Sequence, residues 1–332
     1  MKNKNKFNLR RCNFVMKKIF LALALVIAIA SAGFADWKPS TTVSIIVPAG
    51  AGGNTDLSAR VFAQYAKEIS GVDFIVVNAN GAAGSIAADQ VRQAKPDGHT
   101  FLYGHNLVNV ANVAGITDYN YTAFKLGPTF AKDPAQQFYV NPVKYKDLDE
   151  YCYKKNRLSV FEKYKQSADP QVRERAYYEI LEFMRLAGIE LDLVDYGSNS
   201  DKIVGMLSGQ VDMMPGAYIN CKDYLASGQF VALGVPSEKR YDLISFIPTF
   251  KEQGIDLVYP DCDFSFYFPK ETPDEIIKWY ENIVQEMMKK PEALEAIKKV
   301  EMMPYYLSAA DSEKNDAEYF AVFKRIADSV MQ

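Results

Sequence analysis

The residues best placed to do chemistry lie in two short glycine-rich stretches, Ala49-Gly50-Ala51-Gly52-Gly53-Asn54-Thr55-Asp56 and Asn78-Ala79-Asn80-Gly81-Ala82-Ala83-Gly84-Ser85. What they offer is backbone. Glycine lets the main chain come close to a ligand, and a loop that opens a helix presents N–H groups with no internal partner and a partial positive charge. Two such ends side by side bind an anion without a basic side chain. The first stretch lacks the third glycine of a dinucleotide fingerprint, and neither has the Gly-Lys-Ser/Thr of a phosphate loop. Hydrolase motifs are missing too, with no Gly-x-Ser-x-Gly and no His-Glu-x-x-His in the chain. A Ser-His-Asp arrangement would have to draw on one of two histidines, His99 and His105. No catalytic residue, cofactor or metal is therefore expected, and the chemistry indicated is recognition.

Both loops need a scaffold, and the flanking pattern supplies one. Val43–Val47 is short, β-branched and apolar, as a buried strand is. Pro48 ends it, and after the first loop Leu57, Val61, Phe62, Tyr65, Ala66 and Ile69 recur at helical spacing until Gly71. The unit then repeats, with strand Phe74–Val77, the second loop, and a helix that Ser85 can cap, carrying Ile86, Ala87, Val91 and Ala94. Pro96-Asp97-Gly98 is a turn before a third strand, His99–Tyr103. Strands alternating with helices predict a parallel α/β sheet, and in such a sheet both loops lie at the carboxyl edge where ligands bind. His105 follows the third strand at that edge and is a candidate contact, whereas His99 opens the strand and reads as structural.

The N-terminus speaks to compartment. Residues 1–35 hold seven Lys and Arg and no acid, then an apolar run from Ile19 to Ala30 and the small residues Ser31, Ala32, Gly33 and Ala35. The run is too short to span a bilayer and has the layout of a secretory signal peptide. Cleavage is expected after Ala35 or Ala32, and either Met1 or Met16 can be the start. Removing those seven bases from the chain's 38 leaves 31 against 41 acids, a net charge of −10. That balance argues against a nucleic-acid partner. An anionic ligand must then be held by local geometry, not by the overall field. Cys152, Cys221 and Cys262 remain, an odd number, with no zinc-like spacing. Buried thiols are the expected outcome.

Three motifs in order, Val47-Pro-Ala-Gly-Ala-Gly-Gly53-Asn-Thr-Asp56-Leu-Ser-Ala-Arg60, Val77-Asn-Ala-Asn-Gly81-Ala-Ala-Gly84 and Pro96-Asp-Gly98-His-Thr100, resemble the substrate-binding receptors of tripartite tricarboxylate transporters, the Bug receptors. The likeness resumes at Leu207-Ser-Gly209-Gln-Val211-Asp212, Ala226-Ser-Gly228, Pro248-Thr-Phe-Lys-Glu252-Gln-Gly254 and Pro269-Lys-Glu-Thr-Pro273. The resemblance implies a type II periplasmic-binding-protein fold, two α/β domains around a ligand cleft joined by two crossing strands. Domain I would comprise 36–132 and 263–332, and domain II 133–262. The crossings would fall near Pro128–Val140 and Asp263–Pro269, and the last helices, about 273–290 and 310–331, would return to domain I. It further implies a periplasmic, monomeric protein that captures a small organic acid of di- or tricarboxylate type and passes it to the transporter's membrane subunits. Ala51, Gly52, Gly53, Thr55, Asp56, Gly81, Ala82, Ala83, Gly84 and Ser85 would hold one end of the acid, with Asp56 either a contact or a helix cap. A sensor that reports to a membrane kinase, or a binder of amino acids or cationic solutes, would share these motifs.

The second domain departs from the family. After the strand candidate Leu158–Phe161 come Glu162-Lys163-Tyr164-Lys165-Gln166-Ser167, with no glycine, and then a helix from Asp169-Pro170 to Ala187. Lys163 or Lys165 could reach a carboxylate there. Tyr196-Gly197-Ser198, after an expected strand Leu191–Val194, matches the family's Tyr-x-Gly loop and is the stronger candidate for a second-domain contact.

Overall fold

The computed structural model describes residues 37–134, 136–147, 175–193 and 199–330. Residues 39–332 form one compact unit, which carries everything below. It holds a six-stranded sheet and a three-stranded sheet.

The larger sheet begins as expected. Strands β1 (Val43–Val47), β2 (Phe74–Asn78) and β3 (Thr100–Gly104) pair in parallel with β1 in the middle. Helix α1 (Asn54–Ser70) turns Phe62, Tyr65 and Ala66 inward and stops at Gly71, whose left-handed backbone sends its N–H to Lys67 O at 2.7 Å. Helix α2 (Ser85–Arg92) buries Ala87, Ala88 and Val91, and helix α3 (Leu107–Val113) follows β3. Ser85 is not the cap. It is the first helical residue, and left-handed Gly84 holds the cap position with no side-chain bond.

Strand β4 (Phe124–Asp133) leaves this sheet and the chain enters the smaller one as β5 (Gln137–Val140). It returns through β8 (Cys262–Pro269), which lies antiparallel between β3 and β4. In the smaller sheet β6 (Met213–Gly216) and β7 (Val231–Gly234) flank β5 antiparallel. Helices α4 (Arg175–Ala187), α5 (Asn199–Leu207) and α6 (Tyr218–Ala226) belong to this half of the chain. Leu191–Leu193 are not a strand. The candidate strand Leu158–Phe161, Lys163, Lys165 and the start of the helix ending at Ala187 lie outside the described residues.

Helices α7 (Asp274–Met288), α8 (Pro291–Lys299) and α9 (Ala309–Val330) come back to the larger sheet, with β9 (Met303–Leu307) pairing with β4. The eight residues of β8 show why. They read Cys-Asp-Phe-Ser-Phe-Tyr-Phe-Pro, and a strand's period of two sends alternate side chains to opposite faces. Phe264, Phe266 and Phe268 join Phe62, Phe101, Tyr103, Phe130 and Tyr280. Phe266 lies 4.6 Å from Phe101 and 4.8 Å from Phe62, and Tyr103 stacks on Phe130 at 5.2 Å. Such pairs add about 0.5–1.5 kcal/mol each beyond their burial. Asp263, Ser265 and Tyr267 take the other face and meet α9. Cys221 and Cys262 are buried, and burial pushes the Cys221 thiol up to about 12.

Candidate functional site

Because β1, β2, β3 and β4 run the same way, their carboxyl ends share one edge of the larger sheet, and β8 starts there. The loops 48–53, 79–84 and 105–106 stand along that edge. Their mutual packing is tight. A Cβ on Gly84 would lie 2.5 Å from Leu107 Cδ1 and 3.2 Å from Pro48 Cβ, and one on Gly104 would lie 2.7 Å from Leu107 Cδ2 and 3.3 Å from Pro48 Cγ. Three loops thus pack closely around Pro48 and Leu107, and a side chain at Gly84 or Gly104 would have to displace the Leu107 methyls.

The first loop is shaped by Asp56. Its carboxylate accepts from Gly52 N at 2.9 Å, from Arg60 Nε at 3.1 Å and Nη2 at 2.9 Å, and from Asn78 Nδ2 at 3.0 Å. Asn78 also donates to Ala49 O at 2.9 Å, and Ala79 N to Val47 O at 2.8 Å, so the end of β2 is fastened to the first loop. Burial opposes ionisation of Asp56, but the Arg60 guanidinium, the Gly52 amide and Asn78 outweigh it and hold the carboxyl below its usual value. Asp56 is thus engaged in building the loop, and Gly52 N–H already has its acceptor. Replacing Asp56 with alanine is expected to lower stability by about 1–3 kcal/mol, read as a lower melting temperature. Since the folded carboxyl titrates low, its contribution is present above the unfolded value of 3.8 and is lost as pH falls through the folded one. Acid unfolding of Asp56→Asn should lack that component.

What remains at the start of α1 are the N–H groups of Gly53, Asn54, Thr55 and Asp56. The first backbone bond of the helix is Leu57 N to Gly53 O at 2.9 Å, so the earlier amides have no intrahelical acceptor. Ser58 Oγ, 2.6 Å from Asn54 O and 3.0 Å from Tyr103 Oη, steadies that turn, and Asn54 Nδ2 reaches Asp133 Oδ2 on β4 at 2.6 Å.

The second loop carries a feature that its sequence does not announce. Gly81, Ala82, Ala83 and Gly84 all have positive φ, at 129°, 45°, 51° and 87°. For alanine this costs roughly 1–2 kcal/mol per residue. Strain of this kind is typical of ligand-binding segments. Gly84 N–H bonds Gly81 O at 2.9 Å and Ser85 N–H bonds Ala82 O. Among the described residues none accepts from the N–H of Ala82 or Ala83, which form the crest of the loop.

His105 sits at the same edge, half-buried, its ring edge-on to Phe264 at 5.5 Å and its Nδ1 3.4 Å from Asn106 Oδ1. His99 instead fastens the segment ahead of β1, with Nε2 3.2 Å from Ser40 N and Nδ1 3.1 Å from Asp97 O. Ala51 lies in the turn ahead of Gly52 and is exposed. Tyr196, Gly197 and Ser198 lie outside the described residues.

Sequence reasoning did not identify β6, β7 or α6 in the smaller half of the chain. Strands β6 and β7 end where β5 begins, beside the crossing from β4, and α6 starts directly after β6 with Ala217 as its cap residue. Its first amides open at that side. Met-Met-Pro-Gly has little strand character and Ala217 is no capping type, so neither element was legible. The two halves also touch through side chains: Lys222 of α6 with Glu301, and Arg325 of α9 with Glu182 of α4 at 3.6 Å.

Residues 58–330 match the sequence profile of the tripartite tricarboxylate transporter family receptor. A protein from the TAR-I ttuE-ttuC' intergenic region of Agrobacterium vitis is 26% identical over 331 residues, spanning 94% of this chain and 90% of that one. Protein BugT of Bordetella pertussis is 25% identical over 293 residues, 84% of this chain and 85% of its own. Among solved structures, MatC from Rhodopseudomonas palustris with bound malate superimposes with a TM-score of 0.73 at 21% identity, over 87% of this chain and 100% of MatC. A second R. palustris protein, solved with adipate, gives 0.74 at 21%, over 88% and 98%. These structures share the type II periplasmic-binding-protein fold, two α/β domains with mixed sheets. The chain belongs to the tripartite tricarboxylate transporter receptor family, periplasmic solute-binding receptors and not enzymes.

Proposed function

We propose that this receptor captures a small dicarboxylic acid between its two sheets and presents the closed form to the membrane subunits of its transporter. One carboxylate would rest on the amides of Gly53, Asn54 and Thr55 and on those of Ala82 and Ala83, with His105 alongside. The far end would meet the second half, at Tyr196–Ser198 and at the start of α6. The observation that carries this reading is the pair of amide crests held by Asp56, by Asn78 and by the close packing of Gly84 against Pro48 and Leu107. Backbone donors in a preorganised concavity suit a carboxylate, and malate and adipate are the acids in the two solved relatives named above.

In this reading residues 1–35 are a signal peptide, 36–132 with 263–332 form the anchoring domain, and 133–262 the closing domain. The strands β4 and β8 serve as hinge, and the receptor acts as a monomer. A thermal-shift screen against mono-, di- and tricarboxylates, with amino acids and polyamines as controls, tests it. A ligand at about a hundred times its dissociation constant adds about 2.7 kcal/mol, a rise of roughly 5–10 °C for a chain of this size. A rise confined to carboxylates supports the proposal, and one confined to amines overturns it.

A further inference from the structure

Between β8 and α9 the packing is polar where a helix on a sheet is normally apolar. Ser312, Asn315, Asp316 and Tyr319 recur on one face of α9 and meet Asp263, Ser265 and Tyr267 of β8. Thr129 Oγ1 of β4 lies 2.6 Å from Ser265 Oγ and 2.9 Å from Ser312 Oγ. Asp263 accepts from Asn315 Nδ2 and from Tyr319 Oη at 2.9 Å, and Asp316 from Asn109 Nδ2 of α3 at 3.3 Å. Both aspartates are buried, at 6% and 5% exposure. Asp263 Oδ1 and Asp316 Oδ2 have no hydrogen-bond partner among the described residues.

Charge is the difficulty in this seam. The cation nearest to it, Lys132 of β4, pairs with Asp261 at 2.8 Å and lies over the Tyr305 ring at 4.5 Å. Among the described residues no lysine or arginine forms an ion pair with Asp263 or Asp316. The other groups facing Asp263 are Asp261, Tyr319 and Tyr305, and those facing Asp316 are Tyr267, Tyr121 and Asp263 itself. None brings positive charge, and His105 lies across β8 against Phe264. Lys132, beside Asp263 across β4 and β8, eases its ionisation but is outweighed by burial and by Asp261, so two buried carboxylates with no ion pair of their own are costly to ionise together.

We propose that Asp263 and Asp316 form a proton-linked lock on the hinge: while protonated they bind α9 to the crossing strands β8 and β4, and when both ionise the seam loosens and the strands flex more freely. The electrostatics of the seam agree with the geometry. Burial, then the Asp261 charge, pushes Asp263 up to about 6, and burial, with Asp263, pushes Asp316 up to about 7. Above the ordinary value of 3.8 the folded chain keeps protons that the unfolded chain has released, so these sites favour folding least once pH passes about 6 to 7. The seam reaches the second half as well, because Arg325 on the same helix meets Glu182 of α4. The receptor would then be stiffer in an acidified periplasm and more mobile in an alkaline one.

The lock rests on reading β4 and β8 as the hinge, and its test needs no ligand, so it succeeds or fails apart from the carboxylate screen. Amide hydrogen-exchange protection, corrected for intrinsic rates, would be read in β4, β8 and α9 at about pH 5.5 and about pH 8 for wild type, Asp316→Asn and Asp263→Asn. Wild-type protection should fall about tenfold or more between the two, the scale of one unit of proton linkage. Each asparagine variant should lose most of that fall and melt higher than wild type at the alkaline pH. Asparagine at 316 still offers an acceptor to Asn109, and if one variant fails to fold the other is read alone. Equal wild-type protection at both pH values, or a fall as large in the variants, overturns the proposal.

Discussion

Gly84→Val should both destabilise the receptor and destroy its anion cradle. At φ of 87° a side chain is strained wherever it points, at roughly 1–2 kcal/mol. The new Cβ would also stand 2.5 Å from Leu107 Cδ1 with Pro48 Cβ behind it at 3.2 Å. Leu107 is buried and the proline ring is stiff, so relief must come from the loops themselves, and overpacking of this kind costs about 1–3 kcal/mol. The sum is about 2–5 kcal/mol, a fall in melting temperature of roughly 5–15 °C. Displacing the crest at Ala82 and Ala83 removes two amide bonds to a charged ligand, each about 1.5–3 kcal/mol, so affinity should drop a hundredfold or more. Calorimetric unfolding and a titration with the acid found in the screen measure the two losses. A variant that binds normally would show that the second loop does not hold the ligand.

Gly53→Val separates the two effects. Gly53 has φ of −84°, which any residue adopts, and a Cβ there would meet only Gly50 O at 3.9 Å. The fold has room for valine, and the ligand-free protein should melt within a few degrees of wild type, allowing about 1 kcal/mol for a poorer cap residue. The branched side chain, however, stands beside the amides at the start of α1 that the carboxylate would need. Binding should therefore fall by about a hundredfold or more, the worth of two charge-assisted bonds, with stability kept. Normal binding by this variant would refute the amide cradle. The contrast is diagnostic because both glycines belong to the same proposed site while only Gly84 is required by the packing.

Much of the scaffold was legible because its signals are local. Strand β1, helix α1 with its stop at Gly71, and the strand-loop-helix repeat depend on β-branched runs, helical spacing and glycine, all of which act within a few residues. Asp56 shows where locality ends. Its place near a helix start was visible, but its bond to Asn78 depends on β2 lying beside β1, and that bond shows that it ties the first loop to β2. Ser85 had the right type for a cap yet sits one residue inside the helix, because Gly84 takes the left-handed turn that the close approach of Leu107 demands.

The sequence by itself determined the alternation of strands and helices, the family, and the position of both glycine loops at strand ends. The folded loops decided which amides are left to bind, because Gly52, Gly84 and Ser85 lose theirs to acceptors three or four residues away that the loop conformations bring close. Tertiary structure alone decided that α6 opens beside the crossing strands and that Asp263 faces Asp316. Those two residues are 53 positions apart, on a strand and a helix whose local patterns carry no trace of each other. Their meeting follows from β8 being inserted between β3 and β4, which exposes its polar face to the last helix.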